Sequence, residues 1–319
     1  MKAWQYPGNH QPIQMNDVPE PTPGPTQVII DVKAAGLCHS DLMYMETGDR
    51  VMPHLPMTQG HENAGIISAL GVEVEGFAVG DVVGVNSSGV QPPLGMFTPG
   101  GFADKLAADF RDLARVPDGL SLSLAALATD AGMTSYHAII KEGGATAGMK
   151  VGVIGFGGLG QIGARAAVLA GAEVHVAEMK EDVWAIAREA GVTSCVKDAS
   201  EWASASQGWG KGPDFDLIVD YAGFDTTQKA LNAVKRGGTV VQVGLGQPTF
   251  TVVTPTILGK RLIGSLGGTV ADIEEVFDLV NRGEITPVYE EIAFDEIGKG
   301  LERLKANQVT GRLVARFGD

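Results

Sequence analysis

Cys38, His61 and Asp130 carry a thiol, an imidazole and a carboxylate in "AAGLCHSD", "QGHE" and "ATDAGMTSY". Together they supply the soft sulfur, ring nitrogen and carboxylate oxygen that a catalytic zinc takes, with a fourth position left open for water or substrate. Each also has an ordinary reading. A lone cysteine behaves as a small buried hydrophobe, a loop histidine is solvated, and an aspartate near a helix caps it. The outer pair is 92 residues apart, so spacing by itself does not bring the three together.

A second group lies in "VIGFGGLGQIG". Gly155, Gly157 and Gly160 form G-x-G-x-x-G between the apolar run Val151–Ile154 and a helical segment, with Gly158 and Leu159 as the two residues between the last glycines. The first glycine permits a tight turn, the second lets backbone approach a pyrophosphate, and the third lets strand and helix pack closely. The helix start then offers N–H donors and the positive dipole end to phosphate. The next strand pattern, "EVHVA", runs into Glu178, 18 residues after Gly160, where an acid would accept hydrogen bonds from a ribose. A glycine-rich turn with no ligand and an exposed carboxylate are the plainer readings.

Stepping along the chain, the first third reads as short strands broken by Gly and Pro: "QVIIDVKAAGLC", "ENAGIISALG" and "VGDVVGVN" alternate as half-buried strands do. From about residue 121 the texture changes to helical spacing in "SLSLAALATDAGMTSYHAII", capped by Ser121 or Ser123. From Lys150 strands and helices alternate, through "FDLIVDYAG", "TTQKALNAVKRG" and "GTVVQVGLG", which predicts a doubly wound parallel sheet. "VADIEEVFDLVNRGEI" reads as a helix and "GRLVARF" as a closing strand.

The 319 residues allow two domains, and 44% hydrophobic against 19% charged residues argues for packed cores. A net charge of −14 argues against nucleic acid and anionic membrane as partners. No apolar run approaches 18 residues, so neither a signal peptide nor a spanning helix is expected, and the chain reads as soluble and cytoplasmic. Two cysteines, Cys38 and Cys195, stand far apart, which argues against a disulfide framework.

"GLCHSDL", "GHENAG", "VGDVVGV", "TDAGMTSYHA", "VIGFGGLGQIGARAAVLAGA", "NRGEI" and "GRLVARF" occur in this order over nearly the whole chain. This resembles the zinc-dependent alcohol dehydrogenases of the medium-chain dehydrogenase/reductase superfamily, and "TDAG" resembles bacterial secondary-alcohol dehydrogenases. The resemblance implies an α/β protein. A β-rich GroES-like catalytic domain (residues 1–132 and 266–319) is interrupted by a Rossmann domain (residues 133–265), with the active site in the cleft between them. It implies one catalytic zinc held by Cys38, His61 and Asp130, with Glu62 as a nearby acid that approaches the metal and Asp41 orienting the histidine. It further implies NAD on the glycine loop, His39 facing the pyrophosphate, and Ser40 taking the proton of an alcohol as hydride passes to the nicotinamide. The substrate would be a small alcohol or carbonyl compound, and the protein a homodimer or homotetramer.

Two departures stand out. After "VGDVVGV" the chain has "NSSGVQPPLGMFTPGGFADKL" in place of a four-cysteine lobe, so one zinc is expected rather than two. Met43 stands where many relatives end the proton relay in histidine, and the relay would end in water or elsewhere. The shape of the substrate pocket depends on loops around Tyr44, Met96, Phe97 and Leu266. A zinc-free quinone or enone reductase of the same superfamily, and a non-catalytic dinucleotide-binding protein, are the rival readings.

Overall fold

The computed structural model describes residues 1–204, 214–246 and 249–318. Backbone contacts divide the chain into two units: Met1–Met133, Gly268–Gly283 and the segment from Val288 onward form one, and Thr134–Gly267 with Glu284–Pro287 the other.

The first unit is built on the strand Gln27–Leu37, whose "QVIIDVKAAGL" is buried along most of its length. It pairs antiparallel with three strands: Glu62–Leu70, Lys105–Asp109 and Arg312–Arg316. Val82–Val85, Leu113–Arg115 and Tyr289–Ala293 extend the same sheet. Its apolar face buries Ile30, Leu37, Ile67, Val85, Phe102 and Leu106. Each such side chain contributes roughly 1.5–3 kcal/mol of transfer free energy, and a one-residue slip would turn that face outward. Register is therefore firmly held, and the register is what matters for chemistry. Gly36 pairs with Glu62 and Leu37 with Leu313, so Cys38, Glu62 and Arg312 meet at one end of the sheet. Gly36 is needed there, because a Cβ would lie 1.9 Å from Glu62 Oε2.

Two helical segments complete that end. The helix His39–Val51 begins directly after Cys38, which occupies its N-cap. The helix Leu122–Leu127 is capped by Ser121, whose hydroxyl accepts from Leu124 N at 3.3 Å. Helical spacing predicts one continuous helix beyond it. Instead the chain widens into a π-helical turn at Ala128–Gly132 and again at His137–Glu142. Such turns insert a residue and re-aim side chains, and Asp130 sits in the first. Thr129 pins that turn, donating to Ala126 O at 2.7 Å and accepting from Asn63 N at 3.2 Å.

The second unit contains a parallel sheet in the order Ser194–Val196, Glu173–Ala177, Lys150–Ile154, Phe215–Asp220, Val234–Gln242, Arg261–Gly264. This is the doubly wound order, with the first strand of the unit beside the fourth. Ile218, Val240, Phe215 and Leu231 lie in its core. Arg165 Nε donates to Glu284 O at 2.7 Å, which ties Glu284–Pro287 to this unit. Among the described residues no helix is long and apolar enough to cross a membrane.

Candidate functional site

At the end of the first sheet, Cys38, His61, Glu62 and Asp130 each place one donor atom so that all four lie within 4.8 Å of one another. Cys38, His61 and Glu62 are buried and Asp130 is partly so. The arrangement is supported from behind. Asp41, fully buried, accepts from Cys38 N through Oδ2 at 2.9 Å and faces His61 Nδ1 through Oδ1 at 2.9 Å. The imidazole is thereby turned so that Nε2 points to Asp130 Oδ2, 3.5 Å away. Ser40 Oγ lies 3.5 Å from Cys38 Sγ, and His39 is exposed one residue earlier in the same helix.

Arg312 is the member that sequence reading missed. Its guanidinium is buried, donates to Leu37 O at 3.4 Å and to Glu62 Oε1, and reaches Cys38 Sγ at 3.4 Å and Asp130 Oδ2 at 3.8 Å. In "GRLVARF" it reads only as the polar start of the closing strand. Only the pairing of Arg312–Arg316 with Gln27–Leu37 brings it here.

The charges act on one another strongly. Burial alone would raise the Cys38 thiol, but Arg312 and His61 outweigh it and bring it down to about 7. Burial opposes a charged His61, yet Asp41 and Asp130 hold it well above its ordinary value. Burial would raise Asp130; His61 and Arg312 draw it down to about 2. Burial dominates at Glu62 and pushes it up, with the Cys38 and Asp130 anions adding to the effect against Arg312.

The donors fit a zinc ion. Thiolate, imidazole and carboxylate are its preferred ligands, a thiol near 7 deprotonates readily, and Glu62 Oε2 is a buried oxygen with no hydrogen-bond partner. Tyr44, expected beside a loop, lies on the helix His39–Val51. Its ring centroid is 5.7 Å from that of His61, tilted by 57°. Burial raises its phenol, and the Asp130, Asp41 and Cys38 anions add to this while His61 opposes.

In the second unit the glycine loop divides its labour. Gly155 adopts φ +84°, where an L side chain is strained. A Cβ on Gly160 would fall 1.8 Å from Gly155 O, whereas one on Gly157 would meet nothing within 4 Å. The helix Gly160–Leu169 has Leu159 at its N-cap and no side-chain cap; Gln161 N and Ile162 N donate to Gly157 O at 3.2 Å and Leu159 O at 3.1 Å, and the positive end of the helix faces the loop. Gly158 lies between, half-buried. Glu178 closes the loop's other side: Oε2 accepts from Phe156 N and Oε1 from Lys180 N, both at 2.8 Å. The open space at Gly157 and the uncapped helix fit a pyrophosphate.

A β-rich unit with a metal-type donor cluster and a doubly wound unit with a phosphate-type loop define a dinucleotide-dependent oxidoreductase of two domains. Residues 24–118 match the alcohol dehydrogenase GroES-like domain, and residues 158–282 match the zinc-binding dehydrogenase domain. An alcohol dehydrogenase of Geobacillus stearothermophilus is 30% identical over 99% of this chain and 99% of its own. NADP-dependent alcohol dehydrogenase C of Mycobacterium bovis is 29% identical over 95% of this chain and 94% of its own. The solved structure of acetophenone reductase from Geotrichum candidum in complex with NAD has a TM-score of 0.88 at 29% identity, covering 99% of this chain and 97% of that one. The chain belongs to the zinc-type alcohol dehydrogenases of the medium-chain dehydrogenase/reductase superfamily.

Proposed function

We propose that this chain interconverts alcohols, secondary alcohols above all, and their carbonyl products, with zinc held by Cys38, His61 and Asp130 and with NAD(H) on the glycine loop. The observation that carries the reading is the convergence of those donor atoms with Glu62 inside 4.8 Å, in a chain of this family. When bound, zinc supplies Lewis acidity that makes a hydroxyl more acidic, and the nicotinamide supplies the hydride acceptor.

The chain's own residues do the rest. Ser40, with its hydroxyl beside the Cys38 sulfur, takes the substrate proton and passes it outward. Asp41 fixes the ring of His61, and a neutral imidazole is what ligation requires. Arg312 offsets the anions of the donor set, while Glu62 keeps one buried oxygen available to the metal. Phe156 N donates to Glu178, which sets the loop that receives the pyrophosphate.

Both cysteines are free thiols, in keeping with a reducing cytoplasm, and the protein acts there as a homodimer or homotetramer. Two measurements on the purified protein test the reading: zinc content and NADH absorbance over a panel of primary and secondary alcohols. About one zinc per chain together with turnover is expected. Near-zero zinc in protein never exposed to chelator, with turnover on quinones or enones, would replace this reading by the zinc-free reductase.

A further inference from the structure

We infer that Tyr44 selects the substrate: its phenol hydroxyl binds a second oxygen carried by the alcohol, so that diols and hydroxy- or oxo-substituted alcohols are the preferred class. The inference rests on the dehydrogenase reading and adds a substrate class to it.

Three observations place Tyr44 for this task. It stands four residues after Ser40 and three after Asp41 on the helix His39–Val51, a spacing that puts the three on one helical face. Its ring packs on His61, so the phenol borders the donor cluster. It is only half-buried, as are Ser40 and Asp130, whereas Cys38, His61 and Glu62 are closed off. The accessible side of the cluster is thus the side that Ser40, Asp130 and Tyr44 share, and a substrate has to arrive there.

A further observation concerns the hydroxyl. Tyr44 Oη hydrogen-bonds to no described residue, in contrast to Tyr6, whose hydroxyl donates to Asp49 Oδ1 at 2.9 Å, and Tyr221, whose hydroxyl donates to Ser135 O at 2.8 Å. A phenylalanine would supply the same packing against His61. What tyrosine adds is a donor and acceptor at the tip of a rigid side chain. In a closing site such a group strips its water for a ligand that offers a partner and is left unpaired by one that does not. That asymmetry is how polar groups discriminate.

The test separates Tyr44 from the chemistry by using tertiary alcohols, which have no carbinol hydrogen to lose. Binding of 2,3-dimethylbutane-2,3-diol and 2,4-dimethylpentane-2,4-diol to the zinc- and NAD-loaded protein is measured by saturation-transfer NMR titration. Each diol is compared with the mono-alcohol that lacks its second hydroxyl. Wild type is expected to prefer at least one diol by about three- to tenfold, the worth of one neutral hydrogen bond. Tyr44→Phe is expected to abolish that preference while zinc content and mono-alcohol binding stay as in wild type. Tyr44→Leu, lacking the ring, should weaken binding of diol and mono-alcohol alike. A diol preference unchanged in Tyr44→Phe, or no preference in wild type, overturns the assignment. Oxidation of butan-2-ol by wild type is scored separately, so a failed dehydrogenase reading shows there and not in the diol ratio.

Discussion

Asp41 Oδ1 lies 2.9 Å from His61 Nδ1, and both side chains are buried. This contact fixes which ring nitrogen faces the donor cluster, and it does so with an acid that also caps the helix through Cys38 N. Asp41→Asn keeps the cap's oxygen but loses the charge and leaves the ring free to flip. Zinc affinity is expected to fall about 10- to 100-fold, with circular dichroism unchanged; competition against a chromophoric chelator measures it.

Asp130 tests the ligand set itself. If it served only as a cap or surface acid, Asp130→Asn would cost a fraction of a kcal/mol. As a ligand, it leaves Cys38 and His61 without its anion. Asp130→Asn is expected to retain the fold and NAD binding while losing most zinc and nearly all turnover. Asp130→Cys is expected to keep some zinc, since thiolate suits the ion. Zinc content and kcat of the three proteins decide the matter, and an Asn variant with full zinc and near wild-type kcat would remove Asp130 from the site.

Gly157 and Gly160 are expected to separate binding from stability. A methyl at Gly160 collides with Gly155 O at 1.8 Å, so Gly160→Ala should destabilise the second unit by about 1–3 kcal/mol. A methyl at Gly157 meets no protein atom within 4 Å. Gly157→Ala should therefore leave thermal unfolding nearly unchanged while weakening NAD binding. Calorimetry and NADH fluorescence titration report the two quantities.

Glu178 is expected to set the choice between dinucleotides. Its carboxylate is held at the glycine loop by Phe156 N and Lys180 N, where a negative charge repels a 2′-phosphate. Glu178→Gln should raise the NADP/NAD ratio of kcat/KM by about tenfold, the scale of one screened charge pair of roughly 1.4 kcal/mol. A wild-type preference for NADP would show that the acid acts only on the loop.

The acid limb of stability has a marker far from the donor cluster. Arg111 donates to both carboxylate oxygens of Asp109 at 2.8 Å and holds that group at about 2. A depressed carboxyl stabilises above its unfolded value, near 3.9, and the contribution is lost as pH falls through the folded value. The wild-type advantage over Asp109→Asn should be about 1–2 kcal/mol and flat from pH 7 to 5, given the exposed arginine. It should shrink from pH 4 toward pH 2, as read from urea midpoints.

Much of this architecture was written locally. The glycine loop announces itself because its three glycines do three different jobs within six residues, and strand and helix flank it directly. Cys38 and His61 were legible as ligand types, but their meeting depends on the register that sets Gly36 against Glu62. The π-turn that aims Asp130 was invisible, since its residues carry the same apolar spacing as an ordinary helix. Arg312 was invisible for a different reason: an arginine opening a terminal strand has no local sign of burial, and its partners lie as many as 275 residues away.

That separation has a consequence for how the molecule is made. Cys38 leaves the ribosome 274 residues ahead of the guanidinium that will lie against its sulfur. At roughly 5–20 residues per second, the nascent chain exposes that cysteine for about a quarter of a minute to a minute before its resident cation exists. The central strand also waits that long for its neighbour Arg312–Arg316. The centre is accordingly assembled only once the strand Arg312–Arg316 has been made and paired, and metal delivery follows that pairing.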